Sequence, residues 1–274
     1  MFTTRQGGAS AAPWDSLNLG LRVGDDAAHV AANRQRVQQA LGVPAVYMHQ
    51  VHGTAVQVHA LADAATRPLA TADACITRMG GLACAIQVAD CLPVLLADAT
   101  GQWVAAAHAG WRGLAGVEML NPGMASAGGA GGKRVGKGAE KLGKGVLEQL
   151  FISIQALAKV DYVGEATNIV AWLGPCIGPQ AFEVGPEVKQ AFEVDNPQAG
   201  RHFRPLQPGS SQFMADLAGL ARQRLEALGV HQVYGNDGSS AWCTYSNPSR
   251  FFSHRRDGVR LGASGRHGAF IWCD

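Results

Sequence analysis

Three short segments place reactive side chains beside glycines and tight turns. MHQVHG carries His49 and His52, ADCLP carries Asp90 and Cys91, and HAGWRG carries His108 and Arg112. A soft thiolate with two imidazoles is a ligand set for Zn²⁺, and three protein ligands leave the fourth tetrahedral position open for water or substrate. The same atoms allow a second chemistry, in which His108 activates Cys91 as a nucleophile and no metal is needed. Residues three apart on an extended strand face opposite sides, so His49 and His52 cannot both join the set. Gly53 lets the backbone turn away and clears room at the neighbouring imidazole, which makes His52 the preferred ligand. A closed fourth position, filled by Cys176 or His49, would instead mark a structural zinc in a binding module.

Other residues suit a substrate. Arg112 follows Gly110 at a strand-to-helix turn, where a guanidinium beside backbone amides fits the oxyanion of a phosphate or carboxylate. Arg255 and Arg256 in FFSHRRDG offer a similar role, with Asp257 a ready partner for one of them. Trp111 and Phe182 can stack on a flat ring. Proton transfer needs a carrier, and Asp73, Asp90 and His49 are all eligible. GPCIGP sets Cys176 between turn signals, as a tight loop lining a pocket.

These groups need a scaffold. HVAANRQRVQQAL places Val30, Val37 and Leu41 on one helical face, with Asp26 as N-cap and Gly42 just past the end. From Ala45 to His108 the pattern changes to short apolar runs, AVYMHQV, TAVQVHAL, LACAIQV, LPVLLAD and QWVAAAH, which read as strands. TAVQVHAL alternates, with Val56 and Val58 on one face and Gln57 and His59 on the other. LACAIQV and LPVLLAD are continuously apolar, as in strands covered on both faces. Later segments predict a helix in VLEQLFISIQAL, a strand in NIVAWLG, a helix in PEVKQAFEV, an amphipathic helix over QFMADLAGLARQRLEAL ending at Gly229, and strands in VHQVYG and GAFIWC. The order is not a strict strand–helix alternation, so the fold class is α+β with mixed β-sheets packed together and flanked by helices.

Composition limits the function. The 274 residues are 47% hydrophobic, enough to bury a sizeable core, and 35 are glycine. The expectation is one catalytic domain over 1–274. No continuous apolar stretch reaches the roughly 20 residues of a spanning helix, and MFTTRQGGAS lacks the apolar core of a secretory signal. Six cysteines are too dilute for a disulfide scaffold, so the expected location is cytoplasmic. Residues 117–145 hold nine glycines and five of the 23 basic residues. GGKRVGK and GAEKLGK both begin a phosphate-loop pattern there, but each has glycine where the magnesium-binding Ser or Thr belongs. The segment reads as a flexible surface insertion. Outside it the charge is nearly balanced, with no footprint for nucleic acid.

Taken together, the chain resembles the YfiH family, long labelled polyphenol oxidoreductase laccases and also described as purine nucleoside phosphorylases. The matching words run from FTTRQGG and NLG through GDD, NR (Asn33 and Arg34), QVHG (Gln50 to Gly53), ADCLP and HAGWRG to GPCIGP, CTY and FFSHRRDG. The resemblance implies a catalytic zinc held by His52, Cys91 and His108, and a fold distantly similar to cysteine-hydrolase toxin domains. It implies phosphorolysis of adenosine, inosine, guanosine and 5′-methylthioadenosine to base and ribose 1-phosphate, with adenosine deamination alongside. Gln50, Arg112, Trp111 and Arg255 are then the expected substrate-binding residues. The partners are purine nucleosides and phosphate, without nucleic acid or membrane, in a monomer or weak homodimer. Alternatives within the resemblance are a Cys/His hydrolase editing peptidoglycan precursors and a copper-dependent polyphenol oxidase. Copper is disfavoured because a laccase needs several coppers in close histidine sets, whereas nine histidines are scattered along this chain.

Overall fold

Asp26 starts α1 (Ala27–Leu41) by accepting the Ala28 N–H, and Gly42 ends it in the left-handed conformation. The computed structural model describes residues 1–60, 69–119, 133–134, 139–141, 143–161 and 168–274. Six strands follow α1: β1 (Ala45–Val46), β2 (Val56–Val58), β3 (Ala74–Thr77), β4 (Ala83–Val88), β5 (Leu92–Asp98) and β6 (Val104–Ala109). After α2 (Trp111–Ala115) come three short strands, β7 (Val117–Met119), β8 (Lys133–Arg134) and β9 (Ala139–Lys141). The chain continues through α3 (Val146–Asp161), β10 (Ile169–Leu173), β11 (Glu183–Val184), α4 (Pro186–Glu193) and β12 (Phe203–Pro205). It closes with β13 (Phe213–Ala215), α5 (Leu217–Ala227), β14 (Gln232–Gly235) and β15 (His267–Ile271).

The two main sheets are mixed. One has the order β14-β10-β5-β6-β3-β2 and the other β1-β4-β15. Parallel pairs (β10 with β14, β2 with β3, β1 with β4) sit among antiparallel ones. Side chains alternate between the faces of the larger sheet, as strand geometry requires. Ile76, Val94, Leu96, Ala105 and Ala107 pack with residues of α3, α4 and α5. Cys75, Leu95 and Ala106 pack instead against Cys84, Ile86 and Ala269 of the smaller sheet. Val37 and Leu41 of α1 cover that sheet's far side through Ala83, Ala85 and Phe270. The result is four layers, helix, sheet, sheet, helices, in the expected α+β class.

Four local expectations change. Val58 is exposed while Val56 is partly buried, so the two valines do not share an environment, and His59 is buried because the chain turns out of β2 beneath Ile76 and Thr77. Residues 213–215 form a strand, not the first turn of a helix; Asp216 caps α5 by accepting the Gly219 N–H. β3 lies in a segment the apolar runs skipped. Within 117–145, β7 pairs with β9 and β9 with β8. The expected flexibility of this segment concerns residues 120–132, 135–138 and 142, which lie outside the described residues.

Candidate metal centre and its cleft

Strand register assembles the site. Leu92 lies opposite Ala109 and Pro93 opposite His108, while Ala74 at the start of β3 lies opposite Ala107. Cys91, His108 and Asp73 are thereby carried by the ends of three neighbouring strands. His52 arrives on the loop before β2, held at a φ of 63°. The donor atoms of His52, Cys91 and His108 all lie within 4.8 Å of one another. A side chain at position 110 would crowd this point, since a Cβ there would sit 3.0 Å from both Cys91 Sγ and His52 Cδ2. Gly110 is glycine for that reason.

Asp73 organises the donors from behind. Its buried carboxylate accepts the backbone N–H groups of Val51 (3.1 Å), His52 (2.9 Å) and Gly53 (2.8 Å), and it lies 2.7 Å from His108 Nδ1. With Nδ1 committed to Asp73, His108 presents Nε2 to Cys91 and His52. A metal-binding histidine is commonly fixed by this kind of partner. Asp73 is 0% exposed, so it acts on the site through His108 and the loop bearing His52.

Asp90 does the same for the cysteine. It adopts a φ of 85°, a left-handed conformation that Asp tolerates better than most residues. Its carboxylate accepts Thr244 Oγ1 (2.6 Å), Ser253 Oγ (3.0 Å) and the Arg255 N–H (2.7 Å). The CTY and FFSHRRDG segments therefore anchor the turn that presents Cys91.

The electrostatics favour a thiolate at Cys91. Burial raises the Cys91 thiol, but the facing His108 and His52 imidazoles outweigh it and bring the pKa down to about 6. Burial lowers His108, but the Cys91 sulfur and the Asp73 carboxylate carry it up to about 9. Thiolate character and two convergent imidazoles are what Zn²⁺ selects, so the residues present fit the ion. Among the described residues this is the one His/Cys/Asp/Glu group that converges.

The centre lies in a cleft of about 680 Å³. Trp111, Arg112, Phe182 and Arg255 line it, as do Gln50 and His49. The Gln50 amide clamps the Gln87 backbone in both directions, at 2.8 Å each, leaving one N–H and one lone pair for the cleft. His49 is turned away from the three donors, and its Nε2 meets Arg22 Nη1 at 2.6 Å. Cys176 is buried and receives the Asn236 amide at 3.3 Å, outside the three-donor group. Arg256, not Arg255, pairs with Asp257, at 2.7 Å. Sequence reasoning missed Arg22, Arg34 and Arg266, which also line the cleft; only the NLG and NR words hinted at their neighbourhood.

Comparison with known proteins agrees with this architecture. The family model described as multi-copper polyphenol oxidoreductase laccase matches residues 1–126 and 143–274. A purine nucleoside phosphorylase of Pseudomonas aeruginosa is 40% identical over 272 residues, covering 98% of this chain and 91% of its own. Purine nucleoside phosphorylase YfiH of Escherichia coli is 39% identical over 274 residues, with the same coverage of 98% and 91%. Among solved structures, a Neisseria meningitidis protein superposes with a TM-score of 0.78 at 40% identity, covering 100% of this chain and 93% of its own. YlmD from Geobacillus stearothermophilus superposes at 0.80 with 29% identity, covering 99% and 90%.

Proposed function

The chain belongs to the YfiH family of laccase-type proteins, and on that premise we propose that it is a zinc-dependent purine nucleoside phosphorylase with adenosine deaminase activity. The carrying observation is the convergence of His52, Cys91 and His108 in an arginine-lined cleft. The phosphorylase names of the relatives support the reading. Adenosine, inosine, guanosine and 5′-methylthioadenosine are the substrates, and the products are the base and ribose 1-phosphate. The enzyme works in the cytoplasm as one domain, a monomer or weak homodimer, with 117–145 as a Gly/Lys-rich insertion in the sequence.

His52, Cys91 and His108 hold the zinc. When bound, zinc supplies a Lewis acid and lowers the pKa of a ligated water toward about 7. The protein's own residues position the reactants around it. Arg112 orients orthophosphate: its buried Nε has no hydrogen-bond partner among the described residues, and its guanidinium stacks on Trp111 at 4.6 Å. Trp111 and Phe182 flank the planar base. Asp73 keeps His108 in one tautomer, and Asp90 fixes the turn that carries Cys91.

One observation favours a second reading. Cys91, His108 and Asp73 also form a thiolate–imidazole–carboxylate series, the arrangement of a cysteine hydrolase. Polyphenol oxidation by copper has weaker support, since a single three-ligand group converges among the described residues. The deciding experiment measures turnover of adenosine and inosine, with and without phosphate, on protein of known metal content. The expected result is phosphate-dependent release of base by zinc-loaded protein, abolished in Cys91→Ala together with bound zinc and with the fold retained. Full phosphorolysis by a metal-free Cys91→Ala protein would falsify the site. Turnover that a thiol alkylator abolishes and a chelator leaves untouched would favour the hydrolase.

A further inference from the structure

Five arginines line the cleft, Arg22, Arg34, Arg112, Arg255 and Arg266, and none has a carboxylate partner among the described residues. Three arginines outside the cleft do meet carboxylates, Arg5 with Asp15, Arg224 with Glu148 and Arg256 with Asp257. The cleft arginines divide by origin. Arg112 follows β6 of the larger sheet, and Arg255 lies on the loop that anchors Asp90. Arg22, Arg34 and Arg266 come from the other side, from the loop before α1, from α1 itself and from the residue before β15.

Each of these three is pinned on one edge only. Arg34 gives Nε and Nη2 to the Leu19 carbonyl, and Nη2 also reaches the Gln87 amide oxygen; its guanidinium lies 3.8 Å above the Tyr47 ring. Arg266 gives Nη1 to the carbonyls of Ser264 and Gly265. Arg22 gives Nη1 to His49. Nη1 of Arg34 and the Nε and Nη2 groups of Arg22 and Arg266 have no hydrogen-bond partner among the described residues and remain for a ligand. The NLG turn seats this wall. Asn18 Oδ1 accepts both the Gly20 and Arg266 backbone N–H groups, at 2.9 and 2.8 Å. A Cβ at Gly20 would lie 2.8 Å from Arg266 Cγ, so only glycine lets the guanidinium into place.

Charge then asks for a second anion. Five guanidiniums line the cleft together with Asp90 and Cys91, and a divalent metal would add positive charge. One orthophosphate at Arg112 leaves the cleft cationic. We propose that Arg22, Arg34 and Arg266 form an anion subsite that binds a phosphate monoester carried by the nucleoside itself, so that phosphorylated nucleosides are ligands of this cleft. Planar forks with free N–H pairs match phosphate oxygens two at a time. The inference rests on the nucleoside reading of the same cleft but not on turnover.

Calorimetry on zinc-loaded protein with adenosine 5′-monophosphate, adenosine and orthophosphate as separate probes tests it. The expected result is at least tenfold tighter binding of the monophosphate than of adenosine. That preference should fall to about one in the Arg22→Gln/Arg266→Gln double variant and persist in Arg112→Ala. The exposed Arg22→Gln alone, which places no demand on folding, should already lower it several-fold. Equal affinities in the wild type, or a preference that survives the double variant, overturn the proposal. So does a preference lost with Arg112, which would mean that the ester phosphate occupies the orthophosphate position. A preference that persists in protein unable to cleave adenosine upholds the subsite and removes only the phosphorylase reading.

Discussion

Asp73 offers no atom to the cleft, yet two of the three candidate metal donors depend on it: it holds the backbone of the loop bearing His52 and one imidazole nitrogen of His108. Losing such a partner costs about 10–100-fold in metal affinity. Asp73→Asn is nearly isosteric but cannot accept four donors with a full charge, so zinc competition titration should show a loss in that range while circular dichroism stays native. Unchanged affinity would mean that the loop is held by other contacts. Arg112→Ala should raise the KM for phosphate about tenfold or more and spare adenosine deamination, read by assaying both reactions on one preparation; equal losses would remove its assigned role. The three donors were legible as a candidate set because thiol and imidazole chemistry sits in short words, MHQVHG, ADCLP and HAGWRG, though the words alone left a metal and a nucleophile both open and the resemblance favoured the metal. Asp73 and Asp90 were noticed only as acids, since their work is done through hydrogen bonds to residues up to 165 positions away.

At the scale of elements, α1 was legible from its caps and β4, β5 and β6 from their continuous apolarity. β3 was not, because it has only four residues and three of them, Ala74, Cys75 and Thr77, are small, leaving Ile76 alone to carry a hydrophobic signal. β13 hid inside a helical periodicity, and the Asp216–Gly219 cap was the signal that separates it from α5. The 117–145 segment leaves and re-enters the fold at neighbouring points, with Val117 opposite Lys141. Such a loop is removed at little entropic cost. Replacing residues 118–141 by a four-residue Gly/Ser linker should therefore leave stoichiometric zinc, measured by atomic absorption, and shift Tm by no more than a few degrees. Loss of zinc on deletion would make the segment part of the site.

For the molecule as a whole, stability has a pH signature. His267 is 0% exposed against Phe251, with neither ring nitrogen hydrogen-bonded among the described residues. Burial, then the adjacent Arg266 charge, lowers its pKa to about 3. The unfolded chain titrates near 6.5, so this group's contribution is complete above about pH 6.5 and is lost progressively as pH falls toward 3. By pH 5 the loss is on the order of 2 kcal/mol. Urea unfolding of the wild type between pH 7 and 5 should show that decline, and His267→Leu should flatten it; parallel curves would assign the acid sensitivity elsewhere. The Asp90 network carries a consequence for biosynthesis. The turn presenting Cys91 is fastened by Thr244, Ser253 and Arg255, which leave the ribosome long after the cysteine itself. A nascent chain thus keeps its thiol loosely mounted until residues 244–255 follow. A chain cut short before residue 244 lacks all three fasteners, and its thiol has no fixed mount in the sheet.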